Sequence, residues 1–218
     1  MKTVNLAIGL TLASAASLGF AQTIASNGFD AGTEGWTAKN GAMNFAWVSS
    51  GGDPDGFVQA SDVGGDGLWF FSGPSAYLGD QSAAYGGMLS YSIKSDFSTA
   101  PIGGNYAAVQ LLGANGVLLA AAAPALPTSD WATFSFNLIA DGTWKVGATS
   151  GPSASASILQ GVLADLKSIR IDGDYYQGVD TTGIDSVVLS APVPEPASLV
   201  LWAAGLLGLA AIARPRTS

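Results

Sequence analysis

The chain has 218 residues, a formal net charge of -8, and neither cysteine nor histidine. That composition excludes disulfides, thiolate or imidazole metal sites, and Ser-His-Asp or Cys-His nucleophile systems. Setting aside Lys2, Arg214, Arg216 and Glu195 in the terminal segments leaves 5 basic and 15 acidic side chains, a net -10. Such a surface repels phosphate backbones, so nucleic acid is not an expected partner, whereas divalent cations suit it.

Residues 1–21 read as a signal peptide. Lys2 supplies the positive start and Val4 to Phe20 an apolar stretch. Gly19-Phe20-Ala21 places small residues where a signal peptidase inspects them, so cleavage is expected between Ala21 and Gln22.

From residue 22 to 190 the pattern is that of a β protein. Leu89, Tyr91 and Ile93 alternate with polar neighbours, as do Phe134, Phe136 and Leu138, so each run predicts a strand with one buried face. Tyr106 to Leu112 and Val117 to Ala121 flank Gly113-Ala114-Asn115-Gly116, whose Asn-Gly pair predicts a hairpin. Asp141-Gly142 marks a turn before Trp144. Ile158 to Leu166 predicts a short helix. Leu166 to Asp172 and Ile184 to Leu189 predict late core strands. The 29 glycines fit many tight turns. The expected fold is all-β, an antiparallel, jelly-roll-like β-sandwich of about 170 residues, enough for one core.

Several stretches together resemble the laminin B (domain IV) family. They are Phe29-Asp30 with Gly35-Trp36, Gly51-Gly52-Asp53-Pro54-Asp55-Gly56-Phe57-Val58 followed by Asp62, and Trp69-Phe70-Phe71-Ser72-Gly73-Pro74. Next come Tyr77-Leu78-Gly79-Asp80 and Tyr85-Gly86-Gly87-Met88-Leu89-Ser90-Tyr91. The last are Val162-Leu163-Ala164-Asp165-Leu166, Ile169-Arg170-Ile171 and Gly183-Ile184-Asp185-Ser186-Val187. The resemblance covers about residues 27–190, with Asp53 where the family tends to carry Asn. It implies a jelly-roll sandwich used in matrix architecture, with no catalytic centre to carry over.

At the C-terminus, Val193-Pro194-Glu195-Pro196 precedes a 17-residue uncharged apolar run, 197–213, and then Arg214 and Arg216. As a helix the run is about 25 Å long, near the minimum for a bilayer. The arginines would stay in the cytoplasm and the domain outside. Residues 191–196 form a Pro-rich linker and 214–218 the basic end. This order resembles the PEP-CTERM sorting signal of Gram-negative bacteria. The resemblance implies transient inner-membrane anchoring, then processing by an exosortase-type membrane enzyme in an organism that makes extracellular polysaccharide.

Four groups of residues are candidates for chemistry. Asp30 follows the first strand and Asp185 opens the last. In jelly-roll domains of the carbohydrate-binding type these strands are neighbours, so the two carboxylates, with Glu34, could hold a structural Ca²⁺, although both aspartates also suit turn capping. Asp53, Asp55 and Asp62 form a second acidic cluster, and Asp172 and Asp174 lie in a Gly-rich loop; both groups read first as solvated turn acids. Tyr175 and Tyr176 are adjacent, so on a strand one would face outward, making them the expected ligand-binding pair. Glu34 is the only glutamate outside the tail, and no Asp spacing singles out a hydrolase pair. The sequence therefore reads as a non-catalytic exported surface protein, a structural or adhesive component of a polysaccharide matrix. A carbohydrate-binding module is the alternative, and a glycoside hydrolase the third reading.

Overall fold

Alternating apolar residues along a few long strands build two facing antiparallel sheets. The computed structural model describes residues 20–62, 68–97, 100–102 and 106–194. The first sheet runs β3 (Met43–Val48), β4 (Phe57–Ser61), β12 (Thr181–Ser190), β6 (Met88–Asp96), β9 (Ala132–Asn137), with β1 (Thr23–Asn27) also paired to β12. The second runs β10 (Trp144–Val146), β8 (Leu118–Ala122), β7 (Ala107–Gly113), β11 (Leu166–Asp172), β5 (Phe70–Ser72), β2 (Thr37–Lys39).

The core lies between the sheets. Leu89, Tyr91, Phe134, Phe136, Ile169 and Ile171, the inward sets of the expected strands, are all buried. Tyr91 stacks on Phe136 with centroids 6.0 Å apart, and Phe136 meets Trp144 at 6.2 Å. Such aromatic pairs contribute about 0.5–1.5 kcal/mol each beyond their buried area. Trp36 meets Tyr77 edge-on at 5.5 Å, and the Tyr77 hydroxyl donates to the Val187 carbonyl at 2.9 Å, tying the Trp36 loop to β12.

The hairpin between β7 and β8 forms where Asn-Gly predicts it. Asn115 Oδ1 accepts from Val117 N at 3.0 Å, and Gly116 takes φ +77°, which a side chain would resist. The helix α1 spans Ala156–Leu163, starting and ending earlier than the expected 158–166. Ser155 Oγ caps Ile158 N. Leu166 leaves the helix because its N–H and C=O both bond to Gly79, each at 2.8 Å, which commits it to β11.

One irregularity shapes the site. β12 pairs with β4 over Thr181–Ile184 and with β1 over Val187–Ser190. Between these stretches its register against β6 slips, and Ser186 takes φ +47°. Thr182 and Ile184 are buried on one side of this bulge, Val187 and Leu189 on the other. The extra residue, Ser186, resets the alternation, and Asp185 beside it, on the face opposite Ile184, meets the Asp53 loop that follows β3.

Residues 1–19, which hold most of the expected signal peptide, and 195–218, which hold Glu195, Pro196, the apolar run, Arg214 and Arg216, lie outside the described residues. Ala21, Gln22 and Pro194 are described and exposed. No helix among the described residues is long and apolar enough to cross a membrane.

Candidate functional site

The acidic residues sort into two groups at different places in the sandwich. The first surrounds Asp185, whose side chain is fully buried. Its Oδ2 accepts from the Asp53 backbone N–H and its Oδ1 from that of Ser186. Asp53 in turn accepts from the Ser92 hydroxyl at 2.8 Å, and its carbonyl accepts from Ser186 Oγ at 2.7 Å. A Cβ at Gly52 would stand 2.6 Å from Asp185 Oδ2 and 2.5 Å from the Gly56 carbonyl, so the loop closes on the carboxylate only with glycine there. Burial, then the charges of Asp53 and Asp30, push the Asp185 pKa up to about 6. Asp30 is thus close enough to be felt, but it is exposed, and Glu34 accepts from Asn27 Nδ2 at 2.7 Å instead. Asp185 is a carboxylate that clamps two backbone amides, those of Asp53 and Ser186.

The second group is Asp62, just past β4, with Asp174 and Asp180 in the connection from β11 to β12. Each offers one oxygen, and these oxygens lie within 4.8 Å of one another. All three side chains are buried, and so is that of Asp172 at the end of β11. The backbone N–H groups of Tyr175 and Tyr176 both donate to Asp180 Oδ2, at 3.3 and 3.2 Å. Asp174 N donates to Asp172 Oδ1 at 3.2 Å. The Asp180 pKa is pushed up to about 6, chiefly by burial and further by the Asp62 charge. Burial raises Asp172 well above the carboxylate range, with Asp174 and Asp180 adding to the effect.

Asp174 and Tyr175 also line an open cavity of about 270 Å³ with Ile102, Tyr106, Ala122 and Leu126. Tyr106 is its half-buried aromatic, and Leu126 is exposed.

The sequence matches the laminin B (domain IV) family over residues 70–203. The chain belongs to the laminin B family. Among solved structures the fold is similar to the L4b domain of human laminin alpha-2, at 16% identity and TM-score 0.50, over 56% of this chain and 70% of that one. It is also similar to the family 11 carbohydrate-binding module of cellulosomal cellulase Lic26A-Cel5E of Clostridium thermocellum, at 18% identity and TM-score 0.52, over 81% and 98%. An exo-beta-agarase matches at 13% identity and TM-score 0.51, over 78% of this chain and 25% of that one. No curated protein matches the chain.

Within this laminin B domain, three expectations are corrected. Tyr175 and Tyr176 are both buried, so neither faces outward as expected, although Tyr175 lines the cavity. They lie in a loop folded back on Asp180, where strand alternation does not apply. Tyr176 stacks on Phe97 with centroids 3.8 Å apart and donates its hydroxyl to the Pro127 carbonyl. Asp172 and Asp174 are buried rather than solvated. Asp62 joins Asp174 and Asp180, while Asp53 joins Asp185 and Asp55 is exposed. Asp180 was legible only as an acid between turn residues; nothing near it in sequence marks its partners.

Two predictions follow from the buried groups. Tyr176→Phe should lower stability by about 1 kcal/mol in urea denaturation by removing one net hydrogen bond, with no change in retention on polysaccharide. With chelator present, the domain should melt several degrees higher at pH 5 than at pH 7.5. Asp180 and Asp185 have folded pKa values near 6, above the unfolded 3.8. Their protonated forms therefore favour the fold below about pH 4, and that stability is lost as pH rises through 6.

Proposed function

We propose that the chain is an exported, non-catalytic component of an extracellular matrix, with a structural or adhesive role. The observation that carries this reading is a laminin B sandwich matched over residues 70–203, framed by an N-terminal export pattern and a C-terminal Pro-Glu-Pro, apolar, basic order. In this reading signal peptidase removes 1–21, the 197–213 segment holds the chain in the inner membrane, and an exosortase-type enzyme processes it at Pro194-Glu195-Pro196. Replacing Glu195 should leave full-length protein in the inner membrane; normal processing of that variant would reduce the tail to a plain anchor. A structural Ca²⁺ between Asp30 and Asp185 belongs to the same proposal. It is supported by the contact of Asp53 with the buried Asp185 beside the bulge in β12 and by the charge of Asp30 that Asp185 feels there.

A second reading, carbohydrate binding, is favoured by the open cavity that Tyr106 and Leu126 line beside Asp174. Retention on polysaccharide columns, read together with release of reducing ends, separates these readings. Retention without turnover supports glycan binding, neither supports a purely structural role, and turnover would overthrow both in favour of a hydrolase.

A further inference from the structure

We propose that Asp62, Asp174 and Asp180, backed by Asp172, form a binding site for a divalent cation, and that the cation is calcium. Three buried carboxylates converge at one end of the sandwich, and the buried Asp172 is tied to them through the Asp174 backbone amide. A buried cluster of ionised carboxylates costs far more than it returns unless the groups take up protons or a positive charge sits among them. Four of the five basic side chains of the described residues are engaged elsewhere. Lys94 lies over Phe57 and Trp131, Lys145 donates to Ser153, Lys167 pairs with Asp165, and Arg170 lies over Phe70.

The hydrogen bonding points to a ligand independently of the clustering. Asp180 uses Oδ2 to accept two backbone amides, while its Oδ1 is buried and takes no hydrogen bond among the described residues. Asp172 repeats the arrangement, with Oδ1 held by Asp174 N and Oδ2 buried and bare. In each carboxylate one oxygen fixes the orientation and leaves the other without a partner among the described residues. Backbone amides that lock ligand carboxylates in place are what a preorganised metal site needs.

The donor set selects the ion. The side chains brought together offer carboxylate oxygens, which suit a hard cation. Magnesium sheds its waters reluctantly, whereas calcium accepts an irregular, carboxylate-rich and largely dehydrated site. The site is separate from the Asp30–Asp185 neighbourhood, since its members come from the end of β4 and from the connection between β11 and β12. Its place gives it a role: the ion would pin that connection, together with Tyr175, against β4 and hold the Asp174 wall of the cavity.

The test uses the full chain in detergent, stripped with EGTA, then titrated with calcium or magnesium while binding stoichiometry and melting temperature are read. Wild type should bind calcium at least ~10-fold more tightly than magnesium and melt higher with it. Asp180→Asn should lose one calcium equivalent that Asp141→Asn, at an exposed turn outside both acidic groups, retains. In EGTA, Asp180→Asn should melt no lower than wild type, because a buried charge without its cation has been removed. If Asp180→Asn fails to fold, Asp174→Asn decides by the same loss of one equivalent. Wild type that binds no calcium at millimolar concentration would overturn the proposal. So would folded Asp180→Asn or Asp174→Asn variants with undiminished stoichiometry and affinity.

Discussion

Gly173→Ala is expected to destabilise the domain by about 3 kcal/mol, at the upper end of overpacking costs, and to lower Tm by roughly 6–12 °C. A Cβ there would stand 2.2 Å from Cζ3 and Cη2 of the Trp69 ring. The ring cannot yield cheaply. It is fully buried and packs edge-on against Phe71 at 5.0 Å. The backbone cannot yield either. Gly173 N donates to the Trp69 carbonyl at 3.1 Å, and its own carbonyl accepts from Thr182 Oγ1 at 2.7 Å. Because Gly173 separates Asp172 from Asp174, the same change should weaken cation binding. Gly116→Ala is the control: it meets nothing within 4 Å and costs only its left-handed backbone, about 1 kcal/mol. Urea melts placing both variants within 0.5 kcal/mol of each other would contradict this packing.

Asp185→Ala is expected to cost about 2–3 kcal/mol at pH 7, from two part-buried amide donors, one in the loop and one in the bulge, that lose a carboxylate acceptor. The carboxylate is the acceptor for Asp53 N and Ser186 N, so its loss frees the 51–56 loop and loosens β12 where it changes partner from β4 to β1. Asp185→Asn keeps one acceptor oxygen and removes a charge that burial and Asp53 disfavour. It should therefore cost clearly less than Asp185→Ala. Equal losses from the two variants would show that charge, rather than acceptance of the two amides, sets the role of Asp185.

The strands that alternation announced, β6 and β9, are where the sequence is read most directly, because each has one face on the core and one toward solvent. The short strands β2, β5 and β10 have three residues apiece, too few to display a period. The acidic groups were misassigned for a geometric reason. Asp53 and Asp62 are close in sequence, but β4 lies between them, and five strand residues carry the chain about 16 Å. Asp53 therefore meets Asp185 at one end while Asp62 meets Asp174 and Asp180 at the other. Tyr175 and Tyr176 misled through the same kind of local argument, since alternation holds on a strand and they lie on a loop anchored by Asp180. Asp185 was legible as the opening of the last strand. The bulge that aims it was not, because Ser186 gives no sign of a positive φ.

The central claim, an exported matrix component released from the membrane by processing, is tested most directly by fractionating the native culture and measuring the mass of the protein in each fraction. The account predicts a species that begins at Gln22, contains no peptide from 197–218, and is recovered with the extracellular polysaccharide. Unprocessed chain confined to the cytoplasm or the inner membrane would contradict it.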